Sequence, residues 1–136
     1  MDLDNYPNSR QHEQTKQPLV LAVDDNEDNL QLLTQLLELN NCLFRTAVDG
    51  VTAINIAKNE QPDLILLDMM LPDVSGIEVV QNLKQNPQTL KIPIIAVTAM
   101  ARIEDRDLFI SVGCEECITK PYVIEQMEEL IQRYIY

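Results

Sequence analysis

Five polar residues stand directly after short runs that predict β-strands in this sequence. They are Asp24 and Asp25 after LVLAV, Asp68 after LILL, Thr98 after IIAV and Lys120 after ECIT. Carboxylates gathered within several ångströms repel one another by about a few kcal/mol per pair, so they need a positive charge to offset them. Lys120 supplies one charge, and Mg²⁺ suits the rest because it binds one or two carboxylates together with phosphate oxygens and water. These are the parts that phosphoryl transfer requires, with Asp68 as the nucleophile that forms an aspartyl phosphate.

The apolar pattern predicts five strand and helix pairs in alternation. Between the runs, apolar residues recur at helical spacing, as they do from Leu30 to Leu37. Such alternation implies a parallel sheet with helices on both faces. The first, third and fourth runs are apolar throughout and should be central, whereas the second and fifth carry polar residues such as Arg45 and Glu116 and should be edges. The order 2-1-3-4-5 then gives a flavodoxin-like, doubly wound, five-stranded parallel sheet with five helices.

The predicted fold brings the five polar residues to one rim of the sheet. In doubly wound folds, ligands bind beyond the carboxyl ends of the strands, near the switch point between the first and third strands. Taken singly, each residue has an ordinary explanation, since an aspartate can cap a helix, a threonine favours a strand and a lysine can solvate an edge. Taken together on one rim, they favour a site for phosphoryl transfer.

Composition and charge restrict the classes of function. With 136 residues and 46% hydrophobic content, the chain predicts one domain over residues 18–136, preceded by a flexible polar leader over residues 1–17. Its 22 acidic and 10 basic residues give a formal charge of -12, which argues against binding nucleic acid or an anionic membrane. No apolar stretch approaches the roughly 20 residues that span a bilayer, and the N-terminus does not resemble a signal peptide. We therefore expect a cytoplasmic location.

Other chemistries fit the sequence less well. A flavodoxin would need an uncharged phosphate-binding loop after the first strand, whereas DDNEDN there is anionic. No glycine stands in a P-loop pattern, and a serine or cysteine hydrolase lacks its histidine because the single His12 lies in the leader. Cys114 and Cys117 have CxxC spacing, but the two glutamates between them would raise a thiol pKa. We therefore expect these two thiols and Cys42 to be reduced.

Together these motifs resemble the receiver domain of two-component response regulators, from about residue 18 to the end of the chain. The motifs that carry the resemblance are Asp24-Asp25, Asp68 within DMMLPDVSG, Thr98-Ala99 and Lys120-Pro121. The resemblance implies that Asp68 is the phosphoacceptor and that the Lys120-Pro121 peptide bond is cis. The implied Mg²⁺ ligands are Asp25, Asp68, the backbone carbonyl of Met70 and, through water, Asp24. The implied phosphoryl contacts are Thr98, Lys120 and the backbone N–H groups of Met69 and Ala99.

The chain departs from the receiver pattern at position 117. Receivers place Tyr or Phe three residues before the lysine, and rotation of that ring accompanies movement of the threonine on phosphorylation. Cys117 stands there instead, and its side chain is too small to act as the same gate. The sequence therefore does not indicate how a conformational change at the site reaches the surface formed by the fourth helix, fifth strand and fifth helix.

The resemblance implies a single-domain response regulator, because no residues follow the last predicted helix to form an output domain. We expect phosphorylation by a histidine kinase or a histidine phosphotransfer protein, and an output that is a contact with a downstream protein. A homodimer through the last helix is a further possibility. The chain is expected to catalyse only its own phosphorylation and dephosphorylation and not to act as an enzyme on other substrates. The alternative is a pseudo-receiver, a binding module of the same fold that is never phosphorylated.

Overall fold

The computed structural model describes residues 17–99 and 102–136, in which five strands alternate with five helices. The strands are β1 (Leu19–Val23), β2 (Leu43–Ala47), β3 (Leu64–Asp68), β4 (Ile94–Thr98) and β5 (Glu116–Thr119). The helices are α1 (Glu27–Leu39), α2 (Gly50–Glu60), α3 (Gly76–Lys84), α4 (Ile103–Val112) and α5 (Ile124–Ile135). The leader predicted over residues 1–17 lies outside the described residues except for Gln17, whose side-chain amide donates to the carbonyl of Asn41 at 3.0 Å.

The five strands form one parallel sheet in the order β2-β1-β3-β4-β5, which confirms the predicted topology. All five residues of β3 and all five of β4 are buried, whereas most of β2 is exposed, so the predicted edge position of β2 is also confirmed. Pairing sets Asp68 opposite Val97 and Thr98 opposite Thr119. The carboxyl ends of β3, β4 and β5 therefore reach the same rim.

Two apolar clusters lie on opposite faces of the sheet. Alternate residues of β1 point to opposite sides, as the period of a strand requires, so that Leu21 and Val23 join one cluster while Val20 and Ala22 join the other. Helices α2, α3 and α4 cover the first face, and α1 and α5 cover the second. Burial on both faces explains why the central strands are continuous apolar runs without alternation.

Side-chain caps start three of the helices close to the rim. Asn26, Asp49 and Ser75 precede α1, α2 and α3, and each accepts a hydrogen bond from the backbone N–H three residues further on. Such caps satisfy donors that the first turn of a helix leaves unpaired. The cap of α1 is thus Asn26 rather than either of the two preceding aspartates.

The helix ends also follow the sequence. Gly113 ends α4 with a φ of 131°, a conformation that side-chain-bearing residues rarely adopt, as its position after the apolar run predicts.

None of the helices in the described part of the chain has the length and apolar character that a membrane crossing requires.

Two leucines at the end of α1 test the account of the core. Leu37 is fully buried, whereas Leu39, two residues later, is 79% exposed. We expect Leu37→Ala to lower the free energy of unfolding by about 2–5 kcal/mol, because it removes buried contacts and leaves a cavity. Leu39→Ala should change it by less than about 0.5 kcal/mol. Urea unfolding followed by circular dichroism measures both, and equal losses would contradict this packing.

Candidate functional site

Asp24 is the first residue after β1 and is held in place by its neighbours on all sides. Its backbone N–H donates to the carbonyl of Ala47 at 3.1 Å, which ties it to the end of β2. Its carboxylate accepts from the backbone N–H of Asn26 at 2.9 Å and from the side-chain amide of Asn29 at 3.2 Å. With only 3% of its surface exposed, the Asp24 carboxylate is a buried group of fixed orientation.

Asp68 is the last residue of β3 and marks the point where the buried strand becomes a loop. Only 6% of its surface is exposed, and one carboxylate oxygen accepts from the backbone N–H of Met70 at 2.9 Å. This contact joins the last residue of the strand to the second residue of the loop that follows it. Met69 is buried, while the side chain of Met70 is exposed beside the site.

Lys120 connects the two buried carboxylates. It follows β5, and its backbone N–H donates to the carbonyl of Thr98 at 2.8 Å. Its ammonium nitrogen lies 2.8 Å from Asp24 Oδ2 and 3.3 Å from Asp68 Oδ2. The peptide bond between Lys120 and Pro121 is cis, the isomer that the resemblance implies. One ammonium group therefore bridges the ends of β1 and β3 from the far side of β4.

Asp25 completes a cluster of three carboxylates. Asp24, Asp25 and Asp68 each offer an oxygen atom, and these three atoms lie within 4.8 Å of one another. Asp25 is exposed, so the cluster opens to solvent on its side. All donors are hard oxygen ligands with no histidine or cysteine among them, which suits Mg²⁺ better than zinc or copper. The residues present thus fit a hard divalent cation.

The charges at the site are only partly balanced within the protein. Burial raises the pKa of Asp68, and the hydrogen bond from Met70 and the charge of Lys120 offset this effect only in part. For Lys120, burial lowers the pKa, but its contacts with Asp24 and Asp68 outweigh burial and the net shift is upward. The lysine therefore stays protonated, and the ionised carboxylate of Asp68 remains short of positive charge. A divalent cation bound at the three carboxylates would supply the missing positive charge.

The remaining predicted residues lie on the same rim. Thr98 is fully buried at the end of β4, and Ala99 follows it in an exposed position. Met69 follows Asp68, and its carbonyl accepts from the backbone N–H of Gly76 at 3.0 Å. The fold thus brings every residue predicted to bind Mg²⁺ or the phosphoryl group to the carboxyl ends of β1, β3, β4 and β5, whereas Cys117 at the predicted switch position lies within β5.

The three cysteines are free. Burial raises the pKa of Cys114 to about 12 and also raises those of Cys42 and Cys117. The absence of a disulfide among them agrees with the expectation that the thiols are reduced. Thiols with raised pKa values are protonated at neutral pH and make poor nucleophiles. At Cys117 the guanidinium group of Arg106 partly opposes the effect of burial.

Two contacts at the site were missed by the sequence analysis. The amide of Asn29 supports Asp24, and Arg106 of α4 donates to the hydroxyl of Thr119 on β5 at 3.2 Å. Asn29 falls in the first turn of α1, directly after the acidic segment, and this position is a signal that the sequence offered. No comparable signal marks Arg106, because its partner lies 13 residues away on another element.

Comparison with known proteins assigns the chain to a family. The family described as the response regulator receiver domain matches residues 20–132. The polar-differentiation response regulator DivK of Brucella anthropi is 39% identical over 116 residues, which are 85% of this chain and 94% of that protein. The chemotaxis response regulator CheY4 of Vibrio cholerae has a similar structure, with a TM-score of 0.83, 28% identity and coverage of 88% of this chain and 99% of that one. The receiver domain of the sensor histidine kinase PA1611 from Pseudomonas aeruginosa, solved with a magnesium ion in its active site cleft, has a TM-score of 0.81, 27% identity and coverage of 88% and 98%.

The raised pKa of Asp68 predicts that its negative charge opposes folding at neutral pH. We expect Asp68→Asn to raise the free energy of unfolding at pH 7, with Mg²⁺ removed by EDTA, because the neutral amide avoids the cost of burying an ionised carboxylate. Since the folded-state pKa lies above the unfolded one, stability of the unchanged chain falls as pH rises through that interval. The gain should therefore shrink as the pH is lowered toward the ordinary aspartate range.

Urea unfolding at a series of pH values measures this difference. The control is Asp107→Asn, which removes one negative charge from an exposed position on α4. An Asp68→Asn variant that is less stable than the unchanged chain at pH 7 would contradict the electrostatic account.

Proposed function

The chain belongs to the response regulator receiver domain family, and on this premise we propose that Asp68 is its phosphoacceptor in two-component signalling. The observation that carries the proposal is the position of the Lys120 ammonium group between the carboxylates of Asp24 and Asp68. It holds one buried carboxylate next to a fixed positive charge, at a rim where a third carboxylate faces solvent. A phosphoryl group arriving from solvent would meet Asp68 beside the ammonium group of Lys120, and a divalent cation held by the three carboxylates would supply further positive charge.

In the proposed transfer, the phosphoryl group passes from a nitrogen atom of the donor protein to an oxygen atom of Asp68. An oxygen of the Asp68 carboxylate forms a bond to the phosphorus of a phosphohistidine on the donor protein. The P–N bond breaks, and its electron pair stays on the imidazole nitrogen. Hydrolysis returns the chain to its unphosphorylated state. Water attacks the phosphorus, the bond between the phosphorus and the Asp68 oxygen breaks, and inorganic phosphate and the free carboxylate are formed. The chain thereby acts only on its own side chain and not as an enzyme on other substrates.

Each remaining residue of the site receives a proposed role. Lys120 and Thr98 contact the phosphoryl oxygens, together with the backbone N–H groups of Met69 and Ala99, and hold the group in line for transfer. The proposed Mg²⁺ ligands are Asp25, Asp68, the carbonyl of Met70 and, through water, Asp24. When bound there, Mg²⁺ supplies charge neutralisation on the phosphoryl oxygens. The oxygen-only donor set supports this choice of metal.

The donor is proposed to be a histidine kinase or a histidine phosphotransfer protein. A groove of about 420 Å³ opens next to Asp24 and Lys120, between α1 and the start of α5. Its walls are mostly apolar and give a protein donor a contact surface beside Asp24 and Lys120. Its lining residues include Leu32, Leu33, Val97, Tyr122 and Ile124. The downstream target is proposed to be a protein; the cytoplasmic location and the homodimer predicted from the sequence stay predictions.

The second candidate function is a pseudo-receiver that binds partners without being phosphorylated. Cys117 favours it, because the aromatic gate that the receiver resemblance implies is absent from β5. The site itself gives no support to this candidate, since each of the five polar residues that the resemblance requires is present at the rim. The two functions differ in one measurable property, the ability of Asp68 to accept phosphate.

We expect incubation with a small acyl phosphate and Mg²⁺ to add one phosphate to the chain, as measured by intact mass spectrometry. The adduct should be absent when EDTA is present, because the phosphoryl oxygens then lack their counter-charge. Asp68→Ala should abolish it, whereas Asp107→Asn should leave it unchanged. Failure of the unchanged chain to form any adduct, with the acyl phosphate and with candidate kinases alike, would favour the pseudo-receiver.

A further inference from the structure

Asp73 fastens the loop after Asp68 to the start of α2. Its two carboxylate oxygens accept from the backbone N–H groups of Gly50 and Val51, at 2.8 and 3.0 Å. These are the first two N–H groups of α2, which have no partner within the helix. The hydrogen bond from Gly50 is the main cause that lowers the pKa of Asp73, so the carboxylate is ionised at neutral pH. The contact joins segments 22 and 23 residues apart.

The same loop is packed closely against its surroundings at two glycines. A Cβ on Gly50 would lie 2.3 Å from a methyl group of Val74, so only glycine permits this approach of the loop to α2. Where the loop meets α3, the backbone N–H of Gly76 donates to the carbonyl of Met69 at the start of the loop. A Cβ on Gly76 would lie 2.5 Å from the Met69 Cα. The loop is thus closed on itself at its base and attached to α2 at its middle.

Between these fixed points stands Met70, whose carbonyl is the proposed third protein ligand of Mg²⁺. Its backbone N–H is held by the Asp68 carboxylate at 2.9 Å. Mg²⁺ demands near-ideal octahedral geometry at short distances, so a small displacement of one ligand weakens binding. The carbonyl has no side-chain rotamers of its own, and its position therefore depends on how the loop is anchored.

We propose that Asp73 is a positioning residue of the metal site, which sets the place of the Met70 carbonyl by anchoring the loop to α2. This inference rests on the proposed function, because it takes the Met70 carbonyl as a Mg²⁺ ligand. Asp73 does not itself belong to the carboxylate cluster at the rim. It acts on Mg²⁺ only through the backbone that it holds.

Asp49 offers a matched comparison at the same helix end. Its carboxylate accepts from the backbone N–H of Thr52 at 2.8 Å and caps α2 in the ordinary way. Removal of Asp49 deletes one negative charge and one cap of α2, as removal of Asp73 does. Of the two, Asp73 is the one that holds the loop, so the pair separates loop anchoring from helix capping and from charge.

The test is the affinity of the unphosphorylated full chain for Mg²⁺, measured by isothermal titration calorimetry without a phosphodonor. We expect Asp73→Ala to raise the dissociation constant about tenfold, in the range found when groups that orient metal ligands are removed. Asp49→Ala should change it by less than about twofold. Asp73→Asn, whose amide oxygen still accepts from one backbone N–H, should recover part of the loss.

The outcomes separate the two proposals. Unchanged affinity in Asp73→Ala, or an equal loss in Asp49→Ala, would overturn the role of Asp73 and leave the proposed function standing. Absence of Mg²⁺ binding by the unchanged chain would overturn both. Circular dichroism of each variant at the titration temperature confirms that a folded protein is being compared, and Asp73→Asn provides the comparison if Asp73→Ala does not fold.

Discussion

The ammonium group of Lys120 lies between two carboxylates that the sheet buries, and the rest of the site depends on this contact. Asp24 and Asp68 end neighbouring strands, where parallel pairing sets their oxygens a few ångströms apart. Without a positive charge between them, two buried carboxylates so close would repel strongly. Lys120 reaches them from beyond β4, and Asp25 adds a third carboxylate on the solvent side. The protein supplies one positive charge for three acidic groups. The remaining negative charge can be neutralised by a divalent cation, which then allows a phosphoryl group to approach.

The architecture explains why this arrangement is stable. A sheet covered on both faces fixes where each central strand ends, because the apolar run must stop where the covering helices stop. Polar residues placed at those ends converge without any long connection. A few hydrogen bonds then suffice to hold the loops, such as those of the Asn26 cap and of Asp73 with the start of α2. A rigid frame with short loops suits a site whose chemistry consists of positioning and charge neutralisation.

The sequence predicts the order of the strands better than it predicts the side-chain contacts between different elements. Continuous apolar runs distinguish the central strands from β2 and β5, and this distinction together with right-handed crossovers predicts the order of the sheet, which brings Asp68 and Lys120 to one rim. The contacts of Asn29, Asp73 and Arg106 were not predicted, although Asp73 stands within a motif that the analysis used. Those contacts depend on which elements meet in space, and periodicity carries no information about the partner of an exposed polar side chain. The neighbour of Cys117 is likewise Arg106 of α4, which its position along the chain does not indicate.

Locating the phosphate on the chain tests the central claim most directly. Borohydride reduces an acyl phosphate on aspartate to the alcohol, so a phosphorylated aspartate is converted to homoserine and can be identified by peptide mass spectrometry. After treatment with a small acyl phosphate and Mg²⁺, the account predicts homoserine at position 68 and at no other aspartate. Homoserine at position 24 or 25, or none at any position of a chain that carries phosphate, would contradict the assignment of Asp68 as the phosphoacceptor.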